Sequence, residues 1–138
     1  MVVGYTAGVY DMFHIGHLNV IRNAKARCDY LVVAVSTDEL VQTYKNKTPI
    51  IPFENRRAIV DAIRYVDKTV PQTSAALEGK IQAAKENNID VMFVGDDWKG
   101  TDKWNQIEEE LAKIGVKVEY LPHTDGISST ILREIVKK

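Results

Sequence analysis

Gly8-Val9-Tyr10-Asp11-Met12-Phe13-His14-Ile15-Gly16-His17 follows the apolar run Val2-Val3-Gly4-Tyr5 and leads into Leu18, Val20, Ile21 and Ala24 at helical spacing. This order predicts a strand that feeds a helix through a turn holding His14 and His17. The first amides of such a helix have no intrahelical acceptor and lie at the positive end of its dipole, so they attract anions. Gly16 has no Cβ and leaves room for a ligand to approach the backbone. Two imidazoles beside free N–H groups make a cup for a phosphate, and a nucleotide is the simplest carrier of one.

The same alternation continues along the chain. Strand candidates are 2–7, 30–36, 67–70, 91–95 and 116–121, and helix candidates are 17–27, 54–65, 76–87, 102–114 and 128–137. The strands are short, β-branched and hydrophobic on both faces, as a buried parallel sheet requires. Pro52 with Glu54, Thr101-Asp102 and Ser128-Ser129 mark helix starts, and Gly115 marks a stop. Val41–Pro52, with Lys45-Asn46-Lys47 and Pro49, shows no period and is read as a long surface loop. Together these predict one α/β domain over 1–138, a doubly wound parallel sheet of five strands that binds ligands beyond the strands' carboxyl ends.

Bulk properties narrow the function classes. The chain has 138 residues, 45% hydrophobic and 27% charged, with a net charge of −1. That balance is ordinary for a globular domain and argues against a grip on nucleic acid, which needs a basic face. Cys28 is the only cysteine, so no intrachain disulfide forms; its spacing from Ile21 and Ala24 suggests a buried apolar role. No stretch reads as a signal peptide or is long enough to span a bilayer, so no membrane insertion and a cytoplasmic location are expected.

Chemistry-bearing residues gather after strand candidates one, four and five. Gly126-Ile127-Ser128-Ser129-Thr130 precedes the helical pattern Ile131, Leu132, Ile135. Its hydroxyls and amides can cap the helix and bind an anion with one geometry, forming a second cup. Each candidate also has a plainer reading. His14 and His17 are too few to hold a metal alone, and no protein metal ligand is assigned. Asp11 could form a turn, Asp96 and Asp97 could cap one, Arg64 could be a helix-end cation, and Lys45 and Lys47 could be solvated.

His14-Ile15-Gly16-His17 resembles the His-x-Gly-His signature of the nucleotidyltransferase superfamily. Gly126–Thr130 resembles the Arg-Thr-x-Gly-Ile-Ser-Thr-Thr element of cytidylyltransferases, and Ile63-Arg64-Tyr65-Val66-Asp67 and Gly95-Asp96-Asp97-Trp98-Lys99-Gly100 resemble further blocks of the bacterial glycerol-3-phosphate cytidylyltransferases. Four ordered blocks span nearly the whole chain. The resemblance implies a Rossmann-like nucleotidyltransferase fold and transfer of a cytidylyl group from CTP, with Mg²⁺, to a small phosphorylated alcohol. It implies catalysis by His14, His17, Arg64 and Lys47. It places Gly8, Val9, Tyr10, Asp11, Gly16, Asp96, Asp97, His123, Thr124, Gly126, Ile127, Ser128, Ser129 and Thr130 on the nucleotide. It places Lys45, Lys80 and Arg56 on the acceptor. A homodimer and a role in cell-wall or capsule synthesis are implied as well. One departure stands out: the usual Arg before the second element is His123, which cannot reproduce a bidentate guanidinium fork. A same-fold transferase using another acceptor or ATP, and a nucleotide-binding protein without turnover, stay open as alternatives.

Overall fold

The computed structural model describes residues 1–122, with Tyr44 and Lys45 described by backbone alone. The elements in chain order are β1 (Val3–Gly8), α1 (Ile15–Lys25), β2 (Tyr30–Ser36), α2 (Asp38–Lys45), α3 (Phe53–Asp61), β3 (Lys68–Gln72), α4 (Leu77–Glu86), β4 (Val91–Gly95), a 3-10 turn (Asp96–Trp98), α5 (Asp102–Ala112) and β5 (Lys117–Leu121). The five strands form one sheet in the order β3-β2-β1-β4-β5. Every pairing is parallel, from Val3 opposite Tyr30 and Gly4 opposite Val91 outward to the edges. The order reverses between β1 and β4, which opens a crevice beyond their carboxyl ends, where Gly8 and Gly95 lie.

Strand sequence accounts for strand position. β2, Tyr-Leu-Val-Val-Ala-Val-Ser, is buried from Leu31 to Ser36 and sends alternate residues to opposite faces. Val32 and Ala34 join Tyr5, Met92, Trp104, Ile107 and Leu111 in one core. Leu31, Val33 and Val35 join Tyr10, Ile21, Val60, Phe93 and Leu121 in the other. Pro71 cannot donate to a ladder, and it sits in β3, at the sheet edge. Gly4 is required by close approach, since a Cβ there would lie 2.7 Å from the Phe93 ring and 2.8 Å from the Cys28 sulfur. Cys28 packs against the second core but is only partly buried, short of the burial its spacing suggested.

The expected loop at Val41–Pro52 is corrected. Its first part is helical: α2 runs to Lys45, starting where the Thr37 hydroxyl accepts from the Leu40 amide at 3.2 Å and ending at Asn46 in the left-handed region, φ 53°. Leu40 and Val41 are buried. Two turns are too short for a period to show, but Thr37-Asp38-Glu39 is a helix-start signal that could have revealed it. The fifth predicted helix, 128–137, lies outside the described residues.

Candidate active site

The turn from Gly8 to α1 is built around unusual backbone. Tyr10 and Met12 have φ of 55° and 50°, uncommon for residues with side chains. They bracket Asp11, which is 1% exposed. One Asp11 oxygen accepts from the Ile50 amide at 2.8 Å and the other from the Ile51 amide at 2.9 Å. Asp11 thereby clamps the segment between α2 and α3 against the histidine turn. Lys47 is exposed on that segment, three residues before the clamp.

His14 is the N-cap of α1, and the two imidazoles bind the first turn reciprocally. His14 Nδ1 accepts from the Gly16 amide at 3.0 Å, and His17 Nδ1 accepts from the His14 amide at 3.2 Å. The amides expected to be free for phosphate at these two positions are thus occupied by the histidines. An accepting Nδ1 places the proton of each neutral ring on Nε2. His14 Nε2 is buried and has no hydrogen-bond partner among the described residues. The rings stack, with centroids 3.9 Å apart.

Both rings are neutral near pH 7. Burial lowers the His14 pKa, and burial with the neighbouring His14 lowers that of His17 to about 4, with Asp11 opposing. The positive charge in this cup therefore has to come from elsewhere, and the rings contribute as neutral N–H donors until a triphosphate raises their basicity.

Several expected ligands have other positions. Arg56 is corrected from acceptor ligand to buried brace, with a side chain 0% exposed. Its Nε donates to Ile51 O at 2.8 Å, Nη1 to Val9 O at 2.6 Å and Ser36 O at 2.8 Å, and Nη2 to Asp38 at 2.6 Å. Those bonds tie β1, β2, α2 and the Lys47 segment together and leave no face of the fork open to solvent. Tyr10, expected at the nucleotide, turns its ring inward and is 5% exposed. That ring covers Gly8, whose Cβ would lie 2.9 Å from its Cζ, and the Val9 carbonyl is held by Arg56.

Arg64 does not join the histidines within the chain. α3 begins beside the Asp11 clamp and runs away from it, so Arg64 lies near the opposite, amino edge, where Asp67 accepts from the Leu31 amide at 2.8 Å. Arg64 is exposed and donates to the Tyr65 hydroxyl at 3.1 Å.

Lys80, in the first turn of α4, is at the carboxyl edge and half-buried. Its Nζ donates to Ala75 O at 2.7 Å and stands 5.5 Å from the Trp104 ring centroid. Burial and nearby Lys103 lower its pKa to about 8. Asp96 and Asp97 are exposed in the turn after β4, across the crevice from α1. The Lys45 side chain and His123, Thr124, Gly126, Ile127, Ser128, Ser129 and Thr130 lie outside the described residues.

Pattern reading missed the rings around His17, the partnership of Asp38 with Arg56, and Trp104 beneath Lys80. Only Thr37-Asp38 left a local signal, as a helix start. The others are contacts between distant parts of the chain.

Known proteins resemble this chain over nearly its whole length. Residues 5–135 match the family model described as cytidylyltransferase-like. The chain is 40% identical over 129 residues to the glycerol-3-phosphate cytidylyltransferase of Bacillus subtilis (strain 168), covering 94% of this chain and 92% of that protein. It is 36% identical to the enzyme of the same name from Staphylococcus aureus (strain NCTC 8325 / PS 47), covering 94% and 90%. Among solved structures, the lipopolysaccharide core biosynthesis protein from Thermoplasma volcanium GSS1 matches with a TM-score of 0.74 at 23% identity, over 90% of this chain and 97% of that one. Pantoate-beta-alanine ligase from Francisella tularensis matches with a TM-score of 0.64 at 12% identity, over 99% and 69%. At those identities the structural likeness speaks for the sheet and its order alone. The sequence kinship reaches further, across the histidine turn and nearly the whole length, and the chain belongs to the cytidylyltransferase-like family.

Proposed function

We propose that the protein transfers a cytidylyl group from CTP to sn-glycerol 3-phosphate, giving CDP-glycerol and pyrophosphate. The observation that carries a phosphate-handling role is His14 Nε2, a buried N–H donor with no acceptor among the described residues. An unsatisfied buried donor costs about 1–3 kcal/mol and is kept where a ligand oxygen completes it. The identity of the nucleotide and acceptor is supported by kinship with glycerol-3-phosphate cytidylyltransferases.

In this mechanism an acceptor phosphate oxygen attacks the α-phosphorus in line, the P–O bond to the β-phosphate breaks, and pyrophosphate leaves. Charge grows on the equatorial and leaving oxygens. His14 and His17 meet it with Nε2–H donors held by their own helix turn, so little reorganisation is needed at the moment of reaction. Lys47 supplies charge from the Asp11-clamped segment, and Lys80 faces the acceptor phosphate. Mg²⁺ would neutralise phosphate oxygens as a Lewis acid. Asp96 or Asp97, exposed in the turn after β4, would hold such an ion from the protein side.

The second hydroxyl cup, Ser128 to Thr130, and a homodimeric assembly belong to the same reading. Pyrophosphate release with CTP and sn-glycerol 3-phosphate, run against ATP and a panel of phosphorylated alcohols, tests the assignment. Turnover confined to another pair would replace the substrates, and CTP binding without turnover on any acceptor would replace the enzyme with a binding protein.

A further inference from the structure

Tyr10 serves a different end from the nucleotide contact its place in the motif suggests. Its φ of 55° is tolerated only where the surroundings over-determine the conformation. Here three things do so. The ring is buried over Gly8, where a Cβ would meet it at 2.9 Å. The ring belongs to the core cluster that holds Ile21, Val33, Phe93 and Leu121. The Tyr10 ring also meets the His17 imidazole edge to face, 5.5 Å between centroids and 75° between planes. Phe13 covers another side of His17 at 5.3 Å, and His14 stacks on a third.

We propose that Tyr10 is the positioning residue for His17: its ring, packed into the core beside the central strands, sets the direction of the imidazole Nε2–H and keeps water from its inner side. The Tyr10 ring joins the sheet's core to His17, so the rigidity of the sheet reaches the donor without passing through the exposed turn. Three kinds of neighbour face His17: the His14 ring, the Asp11 carboxylate and the aromatic rings of Tyr10 and Phe13. Asp11 favours a charged imidazole and His14 disfavours it, while burial, the largest influence, keeps it neutral. The inference rests on His17 as a phosphate donor, but its first test does not depend on turnover.

Histidine ¹⁵N resonances of the free protein, titrated from pH 3.5 to 8, report His17 directly. Tyr10→Leu removes the ring and Tyr10→Phe keeps it. With Leu, the His17 midpoint should climb by about one pH unit or more toward the ordinary 6.5 as water enters; with Phe it should stay low. In turnover assays, Tyr10→Leu should lower kcat about fivefold or more while Tyr10→Phe keeps it near the wild-type value, with KM for CTP within about twofold in both. A folded Tyr10→Leu protein with an unmoved His17 midpoint overturns the proposal. If Tyr10→Leu does not fold, Tyr10→Met takes its place, and an unmoved His17 midpoint in that folded variant overturns the proposal. If wild type turns over no substrate pair, the titration alone decides, and failure of the functional reading stays separate from failure of this one.

Discussion

His14 and His17 stack 3.9 Å apart, and each turns Nδ1 back onto the first turn of α1. The pair is one unit: each ring fixes the backbone that carries the other, and both present Nε2–H. A helix start without side-chain caps would leave these amides to solvent. Here they orient two donors instead.

Because those donors act on charge that peaks in the transition state, His14→Ala and His17→Ala should lower kcat by about 10²–10³ while CTP affinity changes little. Steady-state pyrophosphate release with calorimetric CTP binding separates the two effects. Near-full turnover in both variants would remove the histidines from the mechanism.

Arg56→Ala should destabilise the fold by about 3–5 kcal/mol, since it removes a fully buried side chain and leaves three carbonyls without the donor that now satisfies them. Denaturant unfolding measures this. A stable variant with only a raised acceptor KM would restore Arg56 as a substrate ligand.

Asp11→Asn turns one of two accepting oxygens into a donor facing the Ile50 and Ile51 amides. The Lys47 segment should loosen, so Asp11→Asn and Lys47→Ala should both raise the KM for CTP, by about tenfold or more. The pair should be less than additive if Asp11 acts through the segment. Fully additive losses would indicate that Asp11 meets the nucleotide directly.

Lys80, with its pKa lowered to about 8 by burial and by Lys103, loses its charge as pH rises through that value, well below the ordinary 10.5. Acceptor KM should therefore rise between pH 8 and 9. Lys103→Ala relieves the like charge and should move that rise to higher pH. A flat acceptor KM across the range, in both proteins, would show that Lys80 does not hold the acceptor phosphate.

The strands and the histidine helix were legible because their signals are local. Runs such as Leu31 to Val35 announce a strand buried on both faces, and His14-Ile15-Gly16-His17 between a strand and a helical period announces an anion cup. Thr37-Asp38-Glu39 was equally local, yet α2 is too short for periodicity to support the cap. The roles of Arg56, Tyr10 and Arg64 were not legible at all. Arg56 meets Val9 across 47 positions of chain, and a charged side chain in an exposed-looking helix carries no mark of burial. Arg64 shares a motif with Asp67, but the direction of α3 takes it to the far edge of the sheet.

Sequence by itself determined the parallel α/β sheet, the histidine turn and the family, because hydrophobic period, cap residues and motif order are properties of neighbouring positions. Tertiary structure alone decided that the imidazoles are neutral, that Asp11 clamps the lysine segment and that Arg56 braces four elements. Burial, hydrogen-bond partners and electrostatic neighbours come from segments tens of residues apart, and they exist only once the chain has closed around them.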